Sequence, residues 1–249
     1  MKGVVGSATL GGVGTATSAM VNTTTNPTGA GDGFNQYFGV ERIAGPAPRS
    51  IPQIPVRIDD EGFLSGLWPE VSEKTVGGQT VTVADEELAG IMYSSEWFQY
   101  CGAQTYPGVR PGADQDNYFR YANNPPYTWQ QEEVSAGDRM HVDDFADYET
   151  WGNDIGAAGI GKPAMGTWRS QDVTETMPIQ VLRIPPDDWE RISTESERWL
   201  EAASEWNFIA IMDECTHFCC VPGFKTFRDS PKFNAEDKIY CVCHQSVYD

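Results

Sequence analysis

Residues Cys215–Asp249 hold five of the chain's six cysteines and two of its three histidines. They read CTHFCC, then a run of twenty residues, then CVCHQSVYD. Cysteines scattered for packing do not cluster in this way, and each box sets a Cys close to a His. Cys215 and His217 are two apart, and Cys241 and His244 are three apart. In an extended or tightly turned segment, such spacings let a thiolate and an imidazole converge on one metal centre. Two boxes on neighbouring loops supply four ligands from two directions. Cys219, Cys220 and Cys243 are then left over, and a pair of them is available to bridge the loops as a disulfide.

The boxes resemble those of the Rieske iron–sulfur proteins, which read C-T-H-x-G-C in one loop and C-P-C-H-G-S-x-Y-D in the other. The match covers Cys215, Thr216, His217 and Cys220, then Cys241, Cys243, His244, Ser246, Tyr248 and Asp249. The chain departs at Cys219 and Gln245, where the pattern has Gly, and at Val242, where it has Pro. The resemblance implies that Cys215 and Cys241 hold the inner iron of a [2Fe–2S] cluster and that His217 and His244 hold the outer iron. It implies a Cys220–Cys243 disulfide joining the loops, although the third thiol at Cys219 leaves a Cys219–Cys243 pairing open. Ser246 and Tyr248 occupy the family's positions for hydrogen bonds to a bridging sulfide and to the Cys215 thiolate. His244 occupies the position of the quinol-facing ligand.

Charge counting explains what such a ligand set does. An oxidised core with two thiolates and two neutral imidazoles has no formal net charge, whereas four thiolates leave it dianionic. Adding an electron is therefore easier, and potentials of this class run from roughly −150 to +300 mV. Hydrogen bonds to sulfur raise them further, so the presence of Ser246 and Tyr248 implies the high end, suited to a quinol donor. The same four donors also suit a structural zinc ion held tetrahedrally. That reading gives no task to the remaining cysteines or to Ser246 and Tyr248.

The chain has 249 residues, long enough for one or two domains with a sizeable core, and its 40% hydrophobic content is that of a folded protein. The 36 acidic residues against 17 basic ones give a net charge of −19, and a surface of that sign repels nucleic acid. Acids spread along the whole chain resemble the acidic proteins of salt-loving archaea, where high salt screens self-repulsion. The overall likeness is to haloarchaeal Rieske proteins of cytochrome bc-type complexes. A disulfide beside a metal centre fits an oxidising compartment. Cys101, in WFQYCGAQ, reads as a buried apolar thiol.

Residues 1–21 carry a single charge, Lys2, and are rich in Gly, Ala, Thr and Val. They are weakly apolar for a spanning helix but resemble the mild hydrophobic region of a twin-arginine export signal, without the arginine pair. The resemblance implies an uncleaved anchor that places the protein at the cell membrane with the cluster on the outer face. Residues 22–35, rich in Thr, Gly and Pro, read as a flexible neck, and Asn22-Thr23-Thr24 is a sequon that matters only on export. Residues 36–207 form the expected base domain with an insertion at 107–175, and residues 208–249 the cluster-binding subdomain. Family members continue beyond the second box through further strands and a proline-rich cover loop, so this subdomain is expected to be incomplete. Gly45-Pro46-Ala47-Pro48 precedes both boxes and does not take that cover role.

Short apolar runs between Pro and Gly over 36–70, and two strand-like runs about Gly77-Gly78, favour strands. Ile179–Ile184 is a further strand. Pro185-Pro186 ends it, and Asp187 or Asp188 is placed to cap a helix. On that helix Trp189, Ile192, Trp199, Leu200 and Ala203 share an apolar face. Phe208–Met212 reads as a buried strand leading into Cys215. GAAGIGKP at 156–163 imitates a phosphate-binding loop, but Pro163 replaces the hydroxyl residue that would hold Mg²⁺, so it reads as a Gly-rich turn. His141, beside Asp143 and Asp144, reads as a surface residue in preference to a metal ligand.

The expected fold is therefore all-β, a Rieske-type antiparallel sandwich with a small cluster-binding subdomain, an N-terminal anchor and one helix in an insertion. The resemblance implies an electron-transfer subunit of a quinol–cytochrome c reductase-type complex. It would take one electron from a membrane quinol and pass it to a cytochrome, with cytochrome b-type and cytochrome subunits or another acceptor as partners. A soluble Rieske ferredoxin or oxygenase component is the alternative, but those generally lack the extra cysteine pair and the Ser/Tyr pair.

Overall fold

The computed structural model describes residues 39–40 and 50–248. The expected anchor at 1–21, the neck at 22–35 and the Gly45–Pro48 run lie outside the described residues. The strands are β1 (Gly39–Val40), β2 (Ile51–Ile54), β3 (Val56–Ile58), β4 (Leu64–Gly66), β5 (Val71–Val76), β6 (Gln79–Leu88) and β7 (Ile91–Ser94). They continue as β8 (Arg120–Tyr121), β9 (Lys162–Trp168), β10 (Met177–Arg183), β11 (Phe208–Met212), β12 (Gly223–Phe224), β13 (Ile239–Cys241) and β14 (Ser246–Tyr248). Helices α1 (Thr128–Glu133) and α2 (Pro186–Ala203) complete the regular structure, so the protein is mostly β-sheet.

The largest sheet has the order β1-β2-β11-β10-β9-β8, with every neighbour antiparallel. Side chains alternate across a strand, and the register decides which residues share a face. Ile179 lies opposite Met212, and Val181 opposite both Ala210 and Ala164. All five are buried in the main core. That core is aromatic: Trp168 meets Trp68, Phe98 and Phe119 ring to edge, while Trp199 of α2 packs on Tyr93 and Trp97. The alternate face of β10 and β11 carries Gln180 and Ile211. Ile211 joins a second cluster with Ile51, Cys215, Cys241 and Tyr248. A small sheet, β12-β13-β14, therefore packs its cysteine-bearing end on the second face of the large one.

Polar ties fix this docking. The Tyr127 hydroxyl donates to the Phe224 carbonyl at 2.7 Å, and the Phe224 N–H donates to Gln180 Oε1 at 3.2 Å. The buried Lys225 ammonium donates to the Ile155 carbonyl at 2.9 Å, to the Ala157 carbonyl and to Asp237. Asn153 in turn donates to the Lys225 carbonyl at 2.6 Å. Gly156 sits at φ +67 where a Cβ would stand 2.0 Å from Asp237 Oδ1, so this turn requires glycine. The Gly156–Pro163 segment is thus a clamp on the small-sheet region. Its Lys162 is buried in β9, pairs with Asp147 at 2.7 Å and lies over the Trp129 ring, and is committed to packing.

The strand expectations about Gly77-Gly78 hold: both glycines have positive φ and close the β5–β6 hairpin, as a type I′ turn demands. Three expectations need correction. There are two α-helices among the described residues, and α1 falls in the expected insertion. Helix α2 begins with Pro185 as N-cap and Pro186 in its first turn, without a side-chain cap, so neither Asp187 nor Asp188 has that role. Proline's fixed φ starts a helix without a capping carboxylate. Trp199, Leu200 and Ala203 are buried as expected. Phe208–Met212 is the expected buried strand, but it pairs with β2 and β10, so it belongs to the large sheet. No described helix is long and apolar enough to cross a membrane.

Replacing Lys225 with Met keeps the stem but takes the ammonium from two carbonyls and from Asp237, which retains only the Ala157 N–H. We expect a loss of about 2–4 kcal/mol in urea unfolding; a change within about 0.5 kcal/mol would contradict the clamp.

Candidate metal centre

Two loops of the same construction meet at this end of the molecule. The first leaves β11 at Cys215, and the Cys215 N–H donates to the Cys220 carbonyl at 2.8 Å, closing a four-residue turn over 216–219. The second joins β13 to β14 over 242–245, and Cys241 pairs directly with Ser246. In each loop a cysteine opens the turn and the residue five positions on closes it. The fourth turn residue is left-handed in both, Cys219 at φ +59 and Gln245 at φ +59. These are the two positions where the resembled pattern has Gly, which adopts that conformation without steric cost.

The turns aim backbone N–H groups at sulfur. The Cys215 thiol accepts from the N–H groups of Phe218 and His217, the latter at 3.4 Å, and the Cys241 thiol accepts from those of Cys243 and His244. Both thiols are free, buried and within hydrogen-bonding reach of one another. That mutual bond first, and the backbone donors after it, hold Cys215 well below the usual thiol range. The same bond, then burial, pushes Cys241 up. Such N–H···S cradles favour thiolates and so favour metal ligation.

The histidines lie outward of the thiols. His217 is half-buried, with Nδ1 at 3.6 Å from Cys215 Sγ and 3.4 Å from Ser246 Oγ. Its buried Nε2 has no hydrogen-bond partner among the described residues. His244 is exposed, its ring centroid 5.6 Å from that of His217, and Phe218 stacks on it at 4.6 Å. Ser246 is fully buried. The Tyr248 hydroxyl, also buried, faces Thr216 and the Cys215 thiol without an ordinary hydrogen bond, and burial raises its pKa.

The disulfides divide the remaining cysteines. Cys220 bonds to Cys243, tying the end of the first loop to the middle of the second. The Cys219–Cys243 alternative is therefore not the pairing adopted. Cys101 is not a buried thiol; it bonds to Cys219 across a sequence separation of 118. Cys220, Cys241 and Cys243 sulfurs lie within 4.8 Å of one another, but two of them are spent on the disulfide, so this trio is no donor set. What remains is two thiols within reach of one another, His217 Nδ1 at 3.6 Å from the Cys215 sulfur, and the His244 ring beside that of His217. That donor set fits either a [2Fe–2S] group or a single zinc ion.

Two carboxylates missed from sequence precede the first loop. Asp213 has no exposed surface, and neither of its oxygens has a partner among the described residues. Burial, with Glu214 beside it, holds its carboxyl well above the usual range. Burial, then the Cys215 charge, raises Glu214 to about 7. No sequence pattern distinguishes these acids from the surface ones. His141 lies away from this site: Nε2 meets the Glu61 carbonyl at 2.7 Å and Nδ1 accepts the Asp143 N–H at 3.2 Å, capping a short helical turn.

Comparison with protein-family profiles, curated proteins and solved structures finds no match to this chain.

Two outcomes check the centre's construction. Peptide mapping of unreduced protein is expected to show Cys220–Cys243 and Cys101–Cys219, with Cys215 and Cys241 alkylated only after unfolding; a Cys219–Cys243 peptide contradicts it. Gln245→Gly is expected to stabilise the protein by about 1 kcal/mol by relieving the left-handed side chain, and a loss of that size in thermal unfolding excludes the turn described.

Proposed function

We propose that the two loops hold a Rieske-type [2Fe–2S] cluster and that the protein is a one-electron carrier oxidising a membrane quinol. The observation carrying this reading is the division of the cysteines. The Cys220–Cys243 bond leaves Cys215 and Cys241 as the free thiols of the two loops, facing each other from the buried side, with the histidines outward. Cys215 and Cys241 would hold the inner iron, and His217 and His244 the outer one. The bound group supplies a one-electron acceptor of little net charge.

The chain's own residues then have separate tasks. Backbone N–H groups direct donors at the Cys215 sulfur, the Tyr248 hydroxyl faces it, and Ser246 Oγ lies 3.4 Å from His217 Nδ1. Donors to sulfur stabilise added negative charge and so raise the potential. His244 is the exposed imidazole, placed to accept a hydrogen bond and then a proton from a quinol hydroxyl at its free ring nitrogen. Cys215 and Cys241 are buried with Ser246 and Tyr248, which keeps water from the thiol side. In this reading the electron passes on to a cytochrome, and the protein works as a subunit of a quinol–cytochrome reductase at the cell membrane.

The deciding experiment is metal and acid-labile sulfide analysis with an electron paramagnetic resonance spectrum of the dithionite-reduced protein. Iron, sulfide and a rhombic signal support the reading. Stoichiometric zinc with no signal replaces it with a structural zinc module on the same ligands. Within the iron-loaded protein, Tyr248→Phe is expected to lower the midpoint potential without loss of iron; an unchanged potential removes Tyr248 from the tuning role.

A further inference from the structure

The first loop is held by more than its own turn and the Cys220–Cys243 bond. Three contacts reach it from the segment that follows β7, far away in sequence. The Tyr100 hydroxyl donates to the Glu214 carbonyl at 2.6 Å, and Cys101 Sγ lies 3.5 Å from the Cys215 carbonyl oxygen. Cys101 is bonded to Cys219, the residue next to exposed Phe218 and two from His217. This segment is itself rooted in the aromatic core through Trp97 and Phe98, both fully buried. Both half-cystines sit at positive φ, Cys101 at +56 and Cys219 at +59, a conformation that costs a non-glycine residue energy. A glycine would relieve that cost at Cys219, but it could make no bridge.

We propose that Tyr100–Cys101 is a bracket that sets the position of the His217–Phe218 turn, making Cys101 and Cys219 positioning residues for the centre although neither can ligate it. Among the described residues the second loop has no equivalent, its turn being covalently tied through Cys243 alone. The bracket thus acts on one half of the site, the half that presents Phe218 to the ring of His244. The bracket acts in the protein without metal as well, independently of any cluster.

The test is the Cys101→Ala/Cys219→Gly pair, which removes both sulfurs, so that no stray thiol rearranges the other bridge, and supplies glycine for the left-handed turn. In metal-free protein, amide exchange over 216–219 is expected to rise about tenfold while 242–245 and the β9–β11 strands keep their rates. The His244 ring-proton resonances, displaced by the stacked Phe218 ring, are expected to move toward their unstacked positions. Unchanged exchange and unchanged His244 resonances overturn the bracket, whether or not the protein binds iron. A uniform rise across the strands also overturns it, by assigning the bridge to global stability. Should the pair fail to fold, Tyr100→Phe keeps both disulfides and removes the hydroxyl that bonds the Glu214 carbonyl. It is expected to raise exchange at 215–219 about threefold, and no rise there counts equally against the proposal.

Discussion

The packing of the small sheet on the second face of the large one is the constraint on which the site depends. The first loop leaves the large sheet and the second belongs to the small one, so no shared strand holds them together. Ile51 and Ile211 from one side and Cys241 and Tyr248 from the other bury a common apolar surface. Each aliphatic side chain so buried contributes about 1.5–3 kcal/mol. Lys225, Gln180 and Tyr127 make that docking directional, because each has buried polar atoms that only one arrangement satisfies. The Cys220–Cys243 bond then limits how far the loops can part.

Within that frame the two turns repeat one design with one difference. Each aims two N–H groups at its cysteine sulfur and then needs a left-handed residue to return the chain. Gln245 bears the cost with no compensating bond in the described contacts, whereas Cys219 bears it while making the bridge to Cys101. A substitution that is locally unfavourable is offset by a contact more than a hundred positions away, and neither Cys101 nor Cys219 explains itself alone. The buried Asp213 and Glu214 follow from the same geometry, since the strand that delivers Cys215 runs through the interior before it turns.

How much of this was legible follows from range. The Cys–His spacings are local, so residues 215–220 and 241–248 pointed to one site from sequence alone. Gly77-Gly78 announced its hairpin for the same reason. The Cys101 bridge, the buried state of Asp213 and the Lys225 clamp were not legible, because each depends on a partner brought close only by the sheets. Helix α1 escaped notice because Thr128–Glu133 is too short to show a periodic face. The Asp187 and Asp188 caps were misplaced because two prolines already start α2.

The account's central claim is that imidazoles from both loops, and thiolates from both, belong to one iron centre. Pulsed electron–nuclear double resonance on reduced protein grown with ¹⁵N-labelled histidine addresses it directly. The account predicts two strongly coupled nitrogens, both changing with the histidine label, one from His217 and one from His244. A paramagnetic centre with no histidine nitrogen coupling would contradict it, and would mean that His217 and His244 are not its ligands.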